Sequence, residues 1–281
     1  MIIKFFAPRW GFEHISWQPF LQSVKDAGYA GIEWFPFGDD SNESDHLQVV
    51  KLLEEYGLEF GIVMAVQQHY PNFNKYLTAL EKQLLYLCNL GIDNTQPLFI
   101  SAQTGREYFT TEQVEKTILC CKKISEQTSV SIYHETHRNK WAYAAHAAAP
   151  FLNKYEDLLL TLDISHWFCV SESYLHDQQD TVEKAIQHAR HIHARVGHIQ
   201  GPQVYDPALP EYGEALNEHL KVWDKYVEQR KTSGASYCTI TPEFGPPPYM
   251  VFANRNGAPH EEQWRLNFWM KEYLEKRFKK F

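Results

Sequence analysis

No CxxC pair, no apolar run long enough to cross a bilayer and no glycine-rich phosphate motif occurs in the chain, and each absence removes a class of protein. The five cysteines, Cys88, Cys120, Cys121, Cys169 and Cys238, are odd in number and mostly lie within apolar stretches. They read as buried thiols rather than as a disulfide framework. A membrane helix needs roughly 18 consecutive apolar residues, and the opening MIIKFFAPRWGFEH lacks the long apolar core of a secretory signal, so the expected location is cytoplasmic with no membrane partner. Neither GxGxxG nor GxxxxGK is present, which speaks against a nucleotide-binding open sheet. Positive charge is also short: 27 Lys and Arg against 35 Asp and Glu give a formal net charge of -8. A nucleic-acid or anionic-membrane surface would need clustered bases, so a small polar substrate fits better.

What is present is enough for one large core. Hydrophobic residues make up 44% and aromatics 15% of the 281 residues, with 22% charged, a globular balance. Short apolar runs alternate with amphipathic segments: IIKFF (2 to 6), GIEWF (31 to 35), EFGIVMAV (59 to 66), PLFIS (97 to 101), VSIYHE (130 to 135), LLLTLD (158 to 163), HIHARV (191 to 196) and YCTITPE (237 to 243). Helical patterns fall between them at about 17 to 27, 46 to 56, 73 to 90, 111 to 127, 140 to 153, 181 to 189 and 213 to 231, with a last one near 260 to 279. The TTEQ stretch opening the fourth resembles a capping signal. Eight strands alternating with about eight helices predict an α/β fold, a (β/α)8 TIM barrel occupying residues 1–281 as a single domain; such barrels take about 250 residues. An open doubly wound sheet is the other arrangement of these elements.

Four of the strands end in a potential metal ligand: Glu135, Asp163, His193 and Glu243. Parallel strands place their C-terminal ends on one face, so three carboxylates and an imidazole converge there, and such convergence calls for a divalent cation. Three hard oxygens and one imidazole suit Mn²⁺, Mg²⁺, Co²⁺ or Zn²⁺ and leave positions for two substrate oxygens. A bound α-hydroxy-carbonyl compound would have its intervening C–H acidified, through a stabilised enediolate. Each residue also has a plainer reading. Glu135 in HETHR could pair with Arg138; a lone histidine usually packs in a core; Glu243 could be a loop carboxylate held by backbone amides.

The ordered set Glu135, Asp163 with His166 three residues on, His193 in an HxH and Glu243 after the last strand resembles the xylose-isomerase-like barrel superfamily, and within it the sugar-phosphate isomerase/epimerase type, the fold of the AP endonuclease family 2. The resemblance implies a metal-dependent isomerase or epimerase of a small sugar or sugar derivative, with Glu135, Asp163, His193 and Glu243 as ligands and the facing Glu135 and Glu243 as acid and base. It implies that His166 binds a substrate oxygen and that Glu33, at the end of the second strand, contacts substrate hydroxyls or an arginine. Arg195 and His198 are candidate sources of positive charge. The chain departs from the keto-sugar epimerases in having Ile199 where they carry an arginine six residues beyond the histidine ligand. Trp10, Trp34 and Trp167 follow strands and are candidates for an apolar wall against a sugar face, and His69 follows the third strand. An inosose-type dehydratase could use the same site. An endonuclease-IV-like nuclease would need further histidines, yet the fourth strand ends in SAQTG and QVYDPALPEYGE has no Asp-x-His pair. A barrel that binds a ligand without catalysis completes the alternatives. A homo-oligomer is compatible with the sequence, which selects no oligomeric state.

Overall fold

The structure is a computed structural model that describes residues 1–37, 43–92, 95–251 and 257–279. Eight strands run in chain order: β1 (Ile2–Pro8), β2 (Gly31–Trp34), β3 (Glu59–Ala65), β4 (Ile100–Gln103), β5 (Ile132–Glu135), β6 (Leu160–Leu162), β7 (Ala189–His193) and β8 (Tyr237–Thr241). All neighbouring pairs are parallel, and β8 pairs back onto β1, closing the barrel. Among the described residues nine α-helices cover it: α1 (Trp17–Asp26), α2 (Glu43–Tyr56), α3 (Phe73–Cys88), α4 (Thr111–Thr128), α5 (Ala145–Lys154), α6 (Ile164–Ser171), α7 (Gln179–His188), α8 (Gly213–Thr232) and α9 (Pro259–Phe278). Among the described residues, no helix is long and apolar enough to cross a membrane. The five cysteines are free, three of them buried.

The alternation predicted from sequence is therefore the alternation found, with shifted boundaries, such as β7 ending at His193 rather than at 196 and α5 beginning at Ala145 rather than at 140, and one added helix. The fourth strand begins at Ile100 rather than at Pro97, since proline has no N–H to give to a ladder. The short helix α6 directly after β6 was not expected: ISHWFCVS is apolar almost all round and shows no amphipathic period. Its start is fixed by Asp163, whose side chain accepts from the Ser165 backbone N–H, satisfying one of the free donors at a helix N-terminus.

Strand alternation divides the core in two. One set of side chains fills the layer between barrel and helices, where Ile32, Phe60, Ile62, Ile100, Ile132, Leu160, Ile192 and Ile240 are all buried against residues such as Leu53, Leu84, Ile118 and Val227. The other set fills the barrel interior, and here the residues are unusual. An aromatic plug of Phe6, Phe99 and Tyr133 closes the lower half, with Phe99 also against His191 at 4.5 Å between centroids. Gly61 makes room for it, because a Cβ there would lie 2.4 Å from the Phe99 ring. Above the plug the interior turns polar, and Ser101, Thr161, Glu33, His191 and Thr239 are all buried.

Candidate active site

The C-terminal end of the barrel opens into a cavity of about 220 Å³, lined among others by Trp10, Glu33, Gln103, Glu135, Arg195 and Glu243. Glu135 is the last residue of β5 and His193 the last of β7; Asp163 follows β6 directly, and Glu243 lies two residues beyond β8. One donor atom each from Glu135, Asp163 and His193 falls within 4.8 Å of the others. Glu243 reaches the same point from the rim, its Oε2 3.3 Å from His193 Nδ1. The four strand-end residues singled out in the sequence thus meet.

Their hydrogen bonding is uneven. His193 Nε2 is engaged by both Glu33 oxygens, at 3.0 and 3.1 Å, whereas its Nδ1 has no partner. Glu135 accepts from Gln103 Nε2 at 3.2 Å through Oε1, and its Oε2 has no partner. Asp163 is engaged at both oxygens: Oδ1 accepts from the backbone N–H and hydroxyl of Ser165 at 3.0 and 2.5 Å, and Oδ2 from Arg195 Nη2 at 2.5 Å. Arg195 is 1% exposed, and its Nη1 is 3.7 Å from Glu243 Oε2. His191, on the same inward row as His193, lies 3.4 Å from Glu33 and is bonded instead to Thr239.

The buried charges perturb one another. Burial pushes the Glu243 carboxyl up to about 8 even though His193 and Arg195 pull it down, and burial likewise raises Glu135. Burial opposes ionisation of Glu33 too, but His193 and His191 outweigh it and hold Glu33 below the usual carboxylate range. His193 shows the reverse balance: Glu243, Glu33 and Glu135 raise it well above an ordinary imidazole despite burial. His166 is kept neutral, first by burial and then by His137, Arg195 and Arg138.

Of the other residues named from the sequence, Trp10 and Glu33 line the cavity, and His166 stands behind Arg195 at 2.9 Å. Trp34 does not face it. With Glu33 inward, alternation turns Trp34 outward, where it packs on Trp17 and His46, and Phe35 takes the lining position. Trp167 is core, its Nε1 donating to the Ala142 carbonyl. His69 is exposed and belongs to a separate depression with Arg106 and Tyr108. His198 stacks on Tyr212 and is absent from the cavity lining. Arg138 does not pair with Glu135; it bonds His166 Nδ1 and the Tyr249 hydroxyl. Gln103, Ser165 and Tyr249 were not foreseen. Only Gln103 carried a local sign, as the polar end of a strand.

No protein-family model matches the chain, and no curated protein matches it. Solved structures do. The D-psicose 3-epimerase with D-tagatose from Clostridium cellulolyticum H10 is 13% identical with a TM-score of 0.61, over 96% of this chain and 98% of that one. The probable 3-DHS dehydratase of petrobactin synthesis from Bacillus anthracis is 14% identical with a TM-score of 0.60, over 98% and 99%. A xylose isomerase-like TIM barrel protein from Mycobacterium smegmatis in complex with magnesium is 12% identical with a TM-score of 0.53, over 96% and 97%. The chain has the fold of the xylose isomerase-like TIM barrels, as its strand-end residues led us to expect.

Proposed function

We propose that the chain is a divalent-metal-dependent isomerase or epimerase acting on a small sugar or sugar derivative, free or phosphorylated. Glu135, Asp163, His193 and Glu243 would hold the ion. One observation carries the reading: Glu135 Oε2 and His193 Nδ1 are buried without hydrogen bonds inside a cluster whose donor atoms lie within 4.8 Å of one another. An unsatisfied buried polar group costs about 1–3 kcal/mol, and one cation would answer both. The donor set, oxygen with one imidazole, is that of a hard or borderline divalent ion. The magnesium complex of one structural neighbour and the sugar epimerases among the others support the same reading.

Such an ion would polarise a substrate carbonyl and acidify the neighbouring C–H. The protein's own residues move the proton. Glu243, whose carboxyl burial pushes up to about 8 in the absence of an ion, is placed to accept and return a proton, and Glu135 is its partner across the site. Return to the opposite face of the same carbon gives epimerisation; return to the next carbon gives isomerisation. Neutral His166 binds a substrate oxygen. Glu33 orients His193 through Nε2, leaving Nδ1 for the ion. Trp10, Phe35 and Tyr249 offer apolar faces, and the cavity volume suits a monosaccharide rather than a polymer.

The test is solvent deuterium incorporation into a panel of ketoses, inososes and their phosphates, read by mass spectrometry with Mn²⁺-loaded protein, chelated protein and Glu243→Gln. Wash-in that requires both metal and Glu243 is expected. Accompanying loss of water would reassign the site to a dehydratase, and no exchange with any compound while metal is bound would remove the isomerase reading.

A further inference from the structure

The unevenness of the hydrogen bonding centres on Asp163, which Ser165 and Arg195 hold between them. Two of the ligand-type residues each have an atom without a hydrogen bond, whereas both Asp163 oxygens are engaged. Ser165 takes Oδ1 with two donors, and the Arg195 guanidinium takes Oδ2 at 2.5 Å. The same guanidinium faces Glu243 Oε2 at 3.7 Å, so it lies between the two carboxylates that an ion would have to share with Glu135 and His193. A guanidinium and a divalent ion side by side in a buried site repel each other and compete for the same lone pairs.

We propose, building on the metal reading above, that Arg195 is the resident cation of the ion-free site: it pairs with Asp163, beside Glu243, until a divalent ion displaces it, so that guanidinium and ion exclude one another at Asp163 Oδ2. The displaced side chain has room toward the cavity, which it already lines; the nearby Tyr249 ring is shared, with Arg195 Cζ and Arg138 Cζ each 5.1 Å from its centroid.

Displacement also resolves a conflict at His166. Both of its ring nitrogens face guanidinium donors, Nε2 at 2.9 Å from Arg195 Nη2 and Nδ1 at 3.1 Å from Arg138 Nη1. A neutral imidazole can accept at only one nitrogen. With Arg195 withdrawn, Nδ1 accepts from Arg138 and Nε2 carries the proton into the site as a donor. Ion loading therefore prepares His166 to bind a substrate oxygen, and both events turn on one side chain that the sequence marked only as a source of positive charge.

The proposal is tested by calorimetric titration of Mn²⁺ into the metal-free wild type, Arg195→Met and Arg195→Lys. Removing the competing charge is expected to tighten Mn²⁺ binding at least tenfold in Arg195→Met, while Arg195→Lys, which keeps a positive charge, stays nearer the wild type. Equal or weaker binding by a folded Arg195→Met, or tightening by Arg195→Lys as large as by Arg195→Met, would overturn the competition while leaving the metal reading in place. Binding by none of the three would remove the metal reading and the competition together. Circular dichroism of each variant establishes that it is folded, and Arg195→Gln substitutes for the methionine variant if that one is not.

Discussion

At the scale of single residues, the site is a set of carboxylates and imidazoles whose proton affinities are set by burial and by one another. Glu243 is pushed to about 8 and His193 well above its ordinary value, so near neutral pH the ion-free site holds protons that an ion must expel. Metal affinity should therefore rise with pH up to and through about 8, since the ligands bind as carboxylate and neutral imidazole. Titration in buffers of different ionisation enthalpy checks this: proton release on binding is expected, and a buffer-independent enthalpy would contradict it. Glu33 is expected to act through His193 rather than on substrate. Glu33→Gln should weaken metal binding roughly 10–100-fold, the usual effect of losing the carboxylate behind a histidine ligand, and unchanged affinity would detach Glu33 from that role. Much of this was legible in sequence, because Glu135, Asp163, His193 and Glu243 each end an apolar run. The pairing of Arg195 with Asp163 was not. The two follow adjacent strands but are 32 residues apart, and no local pattern states which side chains beyond the ends of β6 and β7 meet.

At the scale of elements, the barrel is fixed by alternation and by a few close approaches. Trp34 illustrates both the power and the misuse of alternation: once Glu33 is placed inward, period two sends Trp34 outward, so its expected position on the cavity wall conflicted with its own neighbour. Gly31 begins β2 where a Cβ would lie 2.0 Å from the Glu59 carbonyl oxygen. Gly31→Ala must move the β2–β3 backbone two residues before Glu33 and is expected to cost about 1–3 kcal/mol as overpacking, measured by urea denaturation; a neutral effect would show that the two strands pack more loosely. The capping signal ahead of the fourth helix is realised. Thr110 accepts from the Gln113 N–H while the Gln113 side chain bonds back to Thr110, so Thr110→Ala should lose about 1 kcal/mol by the same measurement. Helix α6 escaped the sequence reading because an eight-residue, nearly all-apolar segment has no polar face to give it a period.

At the scale of the whole molecule, parallel closure brings the ends of all eight strands to one face, and residues spread from Trp10 to Tyr249 share one cavity. This is why fold and site were legible together: the count of eight runs implied the barrel, and the barrel implied the convergence of their last residues. A ligand bound only by the folded state stabilises it by mass action, by about 2.7 kcal/mol at a hundredfold excess over Kd. Mn²⁺ at that excess should raise Tm by roughly 5 °C over chelated protein, and an unchanged Tm would mean that no folded-state metal site exists. The most direct measurement is anomalous diffraction from crystals soaked in Mn²⁺. One peak is expected within coordination distance of Glu135, Asp163, His193 and Glu243, with Arg195 withdrawn from Asp163; a peak elsewhere, or none in crystals with an accessible cavity, would contradict the metal site.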